Sequence, residues 1–355
     1  MTNHTIYSQR PFNAGTQPET LASDFITQND AFFVRNHGDV PQIDPDTFRL
    51  SVGGMVQQSL SLSLAELQQD FDEYSVTAVL QCAGNRRVEL ERVAPIPNEI
   101  IWDLGAIGNA SWSGVRLSDI LDRAGIGPQA AHVAFLGLDA TPADARGFGG
   151  SIPLTKAQQG EVLIAYKMNG DTLPPNHGYP LRVVVPGYIG ARSVKWLSQI
   201  NVQTTPSDNY FQQQSYRHYP PQFQSQMEAA DFVPPMLGPL PVNAIIFSPK
   251  VNDTHPAGRV TASGVAVGQE GQPLERVEFS LDGGENWQPA SLTSPNKPWA
   301  WVTWAVDLDL NAGEHTITVR AIDAQGTTQP PALDQVWNFK GYINNAYHQV
   351  RFTVA

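Results

Sequence analysis

The single thiol of this 355-residue chain, Cys82, sits in the stretch Gln81-Cys82-Ala83-Gly84-Asn85-Arg86-Arg87. It follows an apolar run and precedes a glycine turn and two guanidinium groups. An isolated cysteine is most often a buried, inert residue. The adjacent arginines favour a different reading, because positive charge stabilises a thiolate, the form that binds soft or high-valent metals. A second cluster, Phe32-Phe33-Val34-Arg35-Asn36-His37-Gly38, places a cation, an amide and an imidazole in succession. A third runs from Asn176-His177-Gly178 through Arg182 to Lys195, bracketing an apolar strand with His177 and Arg182 before it and Arg192 and Lys195 after it. Four groups that are or can become cationic, gathered around a glycine-rich turn, suit a phosphate or another compact anion.

The elements that must position these clusters can be read from periodicity. FRLSVGG (48–54) alternates like a strand, SLAELQQDF (63–71) has helical spacing after a serine cap, and VTAVLQCAG (76–84) is a buried strand running into a turn. LSDILDRAGI (117–126) predicts a short helix starting from Ser118 and stopped at Gly125, and PLRVVVPG (180–187) a β-branched strand. Residues 1 to 45, polar and carrying Pro11, Pro18, Pro41 and Pro45, read as an irregular ordered arm. Prolines 220, 221, 234, 235, 239 and 241 mark a linker. Beyond it, VNAIIFSP, GRVTASGVAV, RVEFSLDGG, WAWVTWAVDL and HTITVRAID predict an antiparallel sandwich of about seven strands, of immunoglobulin type.

Composition narrows the possibilities. A formal charge of −12 opposes general attraction to nucleic acid or anionic membranes, so an anionic small substrate needs a local basic pocket. One cysteine rules out an intrachain disulfide and a cysteine-rich zinc or iron–sulfur site, and there is no Cys-x-x-Cys-His for covalent haem attachment. No run of 18 apolar residues and no export signal is evident, so the expectation is a cytoplasmic protein, or a periplasmic one had a leader been removed.

FFVRNH, QCAGNRR, HGYPLRVVVPGYIGARSVKW, SLDGGENW and WNFKGYINNAYHQV, in this order and spacing, resemble the blocks of the sulfite oxidase family over almost the whole chain. The resemblance implies an α+β chain: a mixed α/β molybdopterin-binding domain over residues 1–235, then an all-β immunoglobulin-like dimerisation domain over 236–355. It implies oxidation of sulfite to sulfate at a molybdenum–molybdopterin centre ligated by Cys82. Phe33, Val34, Arg35, Asn36 and His37 match a cofactor-binding loop, and Asp139, His177, Arg182, Ser193, Val194 and Lys195 match further pterin and phosphate contacts. Arg35, Arg87, Trp102 and Tyr216 match residues lining a pocket for the substrate anion. The family's Trp-Asn-x-Arg-Gly block carries arginine where this chain has Lys340, which keeps the charge and loses the bidentate fork. Further implied are a homodimer, no haem in the chain, and oxygen or an external cytochrome as electron acceptor. The alternatives are a nitrate reductase-like oxyanion reductase and a non-catalytic anion-binding assembly protein.

Overall fold

The computed structural model describes residues 3–355, and they begin with a hairpin, β1 (His4–Gln9) and β2 (Phe12–Thr16), followed by helix α1 (Pro18–Ser23). This departs from the irregular arm expected of so polar a segment. The reason is tertiary: Asn13 through Thr16 are buried, and Ala14 exchanges both backbone hydrogen bonds with Val34, at 3.0 and 2.8 Å. The hairpin is thereby tied to the Phe32–Gly38 cluster.

Strands β3 (Leu50–Gly54) and β4 (Leu60–Leu62) precede helix α2 (Leu64–Asp70). A capping box starts this helix: Ser63 Oγ accepts from the Glu66 amide at 3.1 Å, and the Glu66 carboxylate accepts from the Ser63 amide at 2.7 Å. Strand β5 (Tyr74–Gln81) leads directly into Cys82 and a single helical turn, α3 (Arg87–Leu90). Strand β6 (Ile107–Arg116) and helix α4 (Leu117–Ala124) follow. Leu117, Ile120, Leu121 and Ala124 form the buried stripe of α4, which Gly125 closes with φ +70°. Next come β7 (His132–Gly137), β8 (Gly149–Pro153), α5 (Leu154–Ala157), β9 (Leu163–Met168), β10 (Asp171–Thr172), β11 (Arg182–Val184) and β12 (Leu197–Gln203).

Two sheets result. One has the order β10-β9-β6-β5 with β11 also on β9, and the other the order β4-β3-β12-β7-β8. The second is mixed, since β12 lies parallel to β3 and antiparallel to β7. Val115, Ile120, Val133, Ile164, Val183 and Ile200 belong to the core that joins α4 to these sheets.

The proline-crowded stretch 219–241 contains turns but no named helix or strand among the described residues. After it come β13 (Asn243–Ser248), β14 (Thr254–His255), β15 (Gly258–Val267), β16 (Leu274–Ser280), β17 (Gln288–Pro289) and β18 (Ser291–Leu292). β19 (Val302–Leu310), β20 (Gly313–Asp323) and β21 (His348–Val354) complete the set. They form the sheets β13-β15-β19-β18 and β14-β21-β20-β16-β17, packed around Ile246, Val277, Trp304, Val319 and Phe352. The expected sandwich is present with two refinements: it has nine strands, several only two residues long, and β14 pairs parallel to β21.

The two halves share a buried seam. Leu21, Val79 and Ile107 of the first half pack with Ile245, Phe247, Val265 and Trp301 of the second. Trp301 Nε1 also donates to the Phe25 carbonyl at 3.0 Å. The segment before β21 returns to the cysteine turn, where the Ile343 amide donates to the Ala83 carbonyl at 2.6 Å.

Candidate active site

Cys82 opens onto a cleft of about 660 Å³, counted to its open mouth, whose wall combines all three sequence clusters. Phe32, Phe33, Arg35 and His37 come from the first, Cys82 and Ala83 from the second, and His177, Arg182, Ser193 and Lys195 from the third. Asp139, Phe148 and Tyr216 join them. Cys82 is 7% exposed, and its amide donates to the Ala106 carbonyl at 2.9 Å. The turn that follows is closed by Asn85, whose amide donates to the Cys82 carbonyl at 3.0 Å and whose Oδ1 accepts from the Ala106 amide at 2.9 Å.

Arg86 and Arg87, read from the sequence as supports for the thiol, do not line the cleft. Arg86 stands at φ 64° and is wholly buried. Its guanidinium donates to both Glu89 carboxylate oxygens at 2.7 Å, to Asn243 Oδ1 at 2.8 Å and to the Ala346 carbonyl at 3.1 Å. These partners span both halves and hold a left-handed backbone that a non-glycine residue rarely adopts. Arg87 donates from Nε to the carbonyls of Lys340 (3.1 Å) and Gly341 (3.2 Å), and from Nη1 to the carbonyl of Ile100 (2.5 Å). Its Nη2 lies 3.6 Å from Glu99 Oε2.

The cleft concentrates positive charge. Arg182 donates to the carbonyls of His177 at 2.9 Å and Ser193 at 3.1 Å, and Lys195 donates to the Asn176 carbonyl at 2.8 Å and to Asn36 Oδ1. Arg35 donates to Asn13 Oδ1 at 3.3 Å. Burial lowers the pKa of Arg182 to about 9, and it pushes Lys195 well below the usual lysine range, with Arg182 adding to that repulsion. Asp139 is the one carboxylate on the wall, and burial raises it. Three cations against one carboxylate leave a deficit of negative charge that an anionic ligand would fill. Arg192 was expected among these cations and is turned away, donating from Nε and Nη2 to the Leu237 carbonyl at 2.9 and 2.7 Å.

His37 and Tyr216 form the polar end of an aromatic cluster. Tyr216 Oη and His37 Nε2 share a hydrogen bond of 2.9 Å, while His37 stacks on Phe148 with centroids 4.6 Å apart. Burial, with Arg35 and Lys195 nearby, holds His37 well below its ordinary pKa, so the ring is neutral at pH 7. Burial keeps Tyr216 a phenol. His177 is also neutral, pushed by burial to about 3, and donates from Nε2 to the Asn29 carbonyl at 3.1 Å.

Several expected site residues stand off the wall. Val34 is committed to the Ala14 bridge, and Val194 is core, its carbonyl accepting from the Val183 amide at 2.8 Å. Trp102 is 1% exposed and tilted against Tyr7 at 4.6 Å. Lys340 faces Glu99, Nζ to Oε1 being 3.5 Å. Asn36 lies just behind the wall and holds Lys195. The sequence reading overlooked Asn13, which anchors Arg35 and the Asn36 amide, and Phe148, signalled only by the glycines at 147, 149 and 150. Glu99, a lone acid in a proline-containing loop, gives no sequence signal.

Comparison with known proteins bears on this arrangement. The oxidoreductase molybdopterin binding domain matches residues 37–211, and the Mo-co oxidoreductase dimerisation domain matches residues 235–355. The chain is 43% identical to mitochondrial sulfite oxidase of Homo sapiens over 362 residues, which cover 99% of this chain and 66% of that protein. It therefore spans just under two thirds of the length of that relative. Sulfite oxidase of Arabidopsis thaliana is 36% identical over 374 residues, covering 97% of this chain and 92% of its own length. Among solved structures, the sulfane dehydrogenase SoxCD from Paracoccus pantotrophus superposes with a TM-score of 0.85 at 26% identity, covering all of this chain and 90% of that one. With its two domains matched in order and its cysteine cleft built from the blocks described above, the chain belongs to the sulfite oxidase family of molybdopterin oxidoreductases.

Proposed function

We propose that this protein oxidises sulfite to sulfate with a molybdenum–molybdopterin cofactor held in the Cys82 cleft. The observation that carries this reading is the union of a single thiol with three cations, buried Arg182 and half-buried Arg35 and Lys195, and one carboxylate in one cleft. The residues fit the cofactor in three respects. Among the described residues no group of three or more His, Cys, Asp and Glu side chains converges, so a metal here must bring most of its ligands with it, as a dithiolene cofactor does. The charge excess of Arg35, Arg182 and Lys195 suits a phosphate-bearing group. Buried Asn36 Nδ2 and Asp139 Oδ1 have no protein partner, leaving a donor and an acceptor for a polar heterocycle.

When bound, the cofactor supplies the two-electron, oxygen-atom chemistry. Cys82 offers its thiolate as the protein's ligand to the metal. Arg182, Lys195, His177 and Ser193, with Asp139, Asn36, His37, Phe33 and the backbone near Val34 and Val194, hold the pterin and its phosphate. Arg35 binds the substrate anion from the wall. Tyr216 keeps its proton at Oη beside neutral His37 and can direct it to an oxyanion in the cleft. Fixed charges in a partly dry site stabilise developing anionic charge more than water does. Arg87, Lys340 and Trp102 act from behind the wall, the first two by charge and Trp102 by packing.

The catalytic unit is residues 1–235, and residues 236–355 form the surface through which two copies associate, a reading supported by the match to a dimerisation domain. The electron acceptor is oxygen or an external cytochrome. Purified protein should contain molybdenum and release a fluorescent pterin, and should reduce ferricyanide with sulfite faster than it reduces nitrate with reduced viologen. Protein loaded with molybdenum that shows no sulfite-dependent ferricyanide reduction would overturn the reading.

A further inference from the structure

Arg87 and Lys340, which the family resemblance assigns to the substrate anion and which stand off the cleft wall, share one carboxylate. Glu99 Oε2 lies 3.6 Å from Arg87 Nη2, and Glu99 Oε1 lies 3.5 Å from Lys340 Nζ. The Glu99 side chain is 19% exposed, between a guanidinium at 3% and an ammonium at 27%. Each oxygen meets a different cation, and both separations exceed the roughly 2.7–2.9 Å of a charge-assisted hydrogen bond. The carboxylate is thus poised between the cations without a tight bond to either. The Nε and Nη1 of Arg87 are already taken by main-chain carbonyls, which fix the guanidinium whether or not Glu99 is engaged.

This group is linked to the cleft through aromatic rings. The Arg87 guanidinium lies 5.2 Å from the centroid of Tyr342, and Tyr342 stacks on the wall residue Tyr216 at 5.3 Å. After burial, the Glu99 charge is the largest influence raising the Tyr342 phenol, so its field reaches this layer.

Resting on the sulfite-oxidising reading, we propose that Glu99 is a built-in counter-ion that competes with the substrate oxyanion for Arg87 and Lys340 and thereby sets anion affinity and product release. A guanidinium as buried as that of Arg87 is costly when unpaired, and the Glu99 carboxylate offsets that cost. Because main-chain carbonyls fix Arg87, an incoming oxyanion must share that cation with Glu99, and must share Lys340 with Glu99 or draw it away. The fixed negative charge opposes a dianion more than a monoanion, so sulfate, the dianionic product, is held more weakly than the two cations alone would hold it.

The test uses the molybdenum-loaded enzyme and its Glu99→Gln and Glu99→Asp variants. Glu99→Gln keeps length and polarity and removes the charge. Its KM for sulfite and its inhibition constant for sulfate should each fall by about five- to tenfold, with the salt dependence of both becoming steeper. Glu99→Asp, retaining the charge, should stay within about twofold of wild type in both constants. A structural role alone would lower the melting temperature and kcat of Glu99→Gln while leaving the sulfate constant unmoved. If wild type oxidises sulfite and Glu99→Gln shows unchanged KM and sulfate inhibition, the counter-ion role is overturned and the functional reading stands. If wild type fails to oxidise sulfite, the functional reading falls. Calorimetric titration with sulfate then decides the inference by itself: tighter binding to Glu99→Gln upholds it, and equal binding overturns it.

Discussion

Cys82 is positioned by its backbone and by Asn85, so its sulfur can be changed without disturbing the turn. Cys82→Ser is expected to fold, with stability within about 1 kcal/mol of wild type, and to retain much of its pterin while losing sulfite turnover. Melting curves, pterin release and ferricyanide reduction measure the three separately. Near-normal turnover would remove Cys82 as the metal ligand. Lys340→Ala should raise the KM for sulfite about tenfold or more, since it leaves Glu99 facing Arg87 alone and cancels the charge that draws the anion. Unchanged KM and unchanged salt dependence would place Lys340 outside substrate binding.

At the scale of elements, the short strand β11 and the 3-10 turn after it carry Arg182, Ser193 and Lys195 to the same wall. Replacing Arg182 and Lys195 together by alanine removes two charge-assisted partners of a phosphate, each worth roughly 1.5–3 kcal/mol. Pterin and molybdenum occupancy should fall sharply, while the apo-protein keeps its melting temperature or gains a little, because two desolvated cations are gone. Full occupancy in the double variant would move the phosphate elsewhere. Far from the cleft, Ser63→Ala removes the α2 capping box and should cost about 1 kcal/mol in denaturant unfolding with no change in turnover.

Across the whole molecule, Arg86 is the clasp. It carries the cysteine turn, pairs with Glu89 and reaches Asn243 and Ala346 in the second half. Arg86→Met leaves the Glu89 carboxylate buried without its cation and should cost about 3–5 kcal/mol, with turnover falling as the turn loosens. His348 lies beside this clasp, Nδ1 accepting from the Ile246 amide at 2.9 Å and Nε2 standing 3.7 Å from Glu89. Burial pushes His348 down to about 4, despite the raising influence of Glu89. Between about pH 6.5 and 4 the unfolded chain therefore binds a proton at this ring that the folded chain does not. The stability this gives is full above about pH 6.5 and is lost as pH falls towards 4, up to roughly 3 kcal/mol. His177, depressed to about 3, acts in the same direction. Chemical denaturation from pH 7 to 4.5 should show the decline, and His348→Asn should flatten it; an unchanged pH slope in that variant would show that His348 does not set it.

The two-part architecture, the linker and the three chemical clusters were legible because each is local: alternation, crowded prolines and contiguous polar blocks survive without knowledge of the fold. Cys82, Arg35, His37, His177, Arg182 and Lys195 were each read from such a block, and the structure brings them to one cleft. What the local pattern could not give is direction. Arg192 and Lys195 stand three residues apart in one segment, yet one guanidinium points at the Leu237 carbonyl and the other side chain at Asn36 and Asn176. Arg86 and Arg87 are adjacent, yet one fastens the domain seam and the other meets Glu99. The hairpin at the N-terminus exists because Val34 pairs with Ala14, a partner 20 positions away. A residue's type and neighbours establish which chemistry it can do. Which partner it faces depends on backbone twist and on strands far off in sequence, and only the folded chain brings those together.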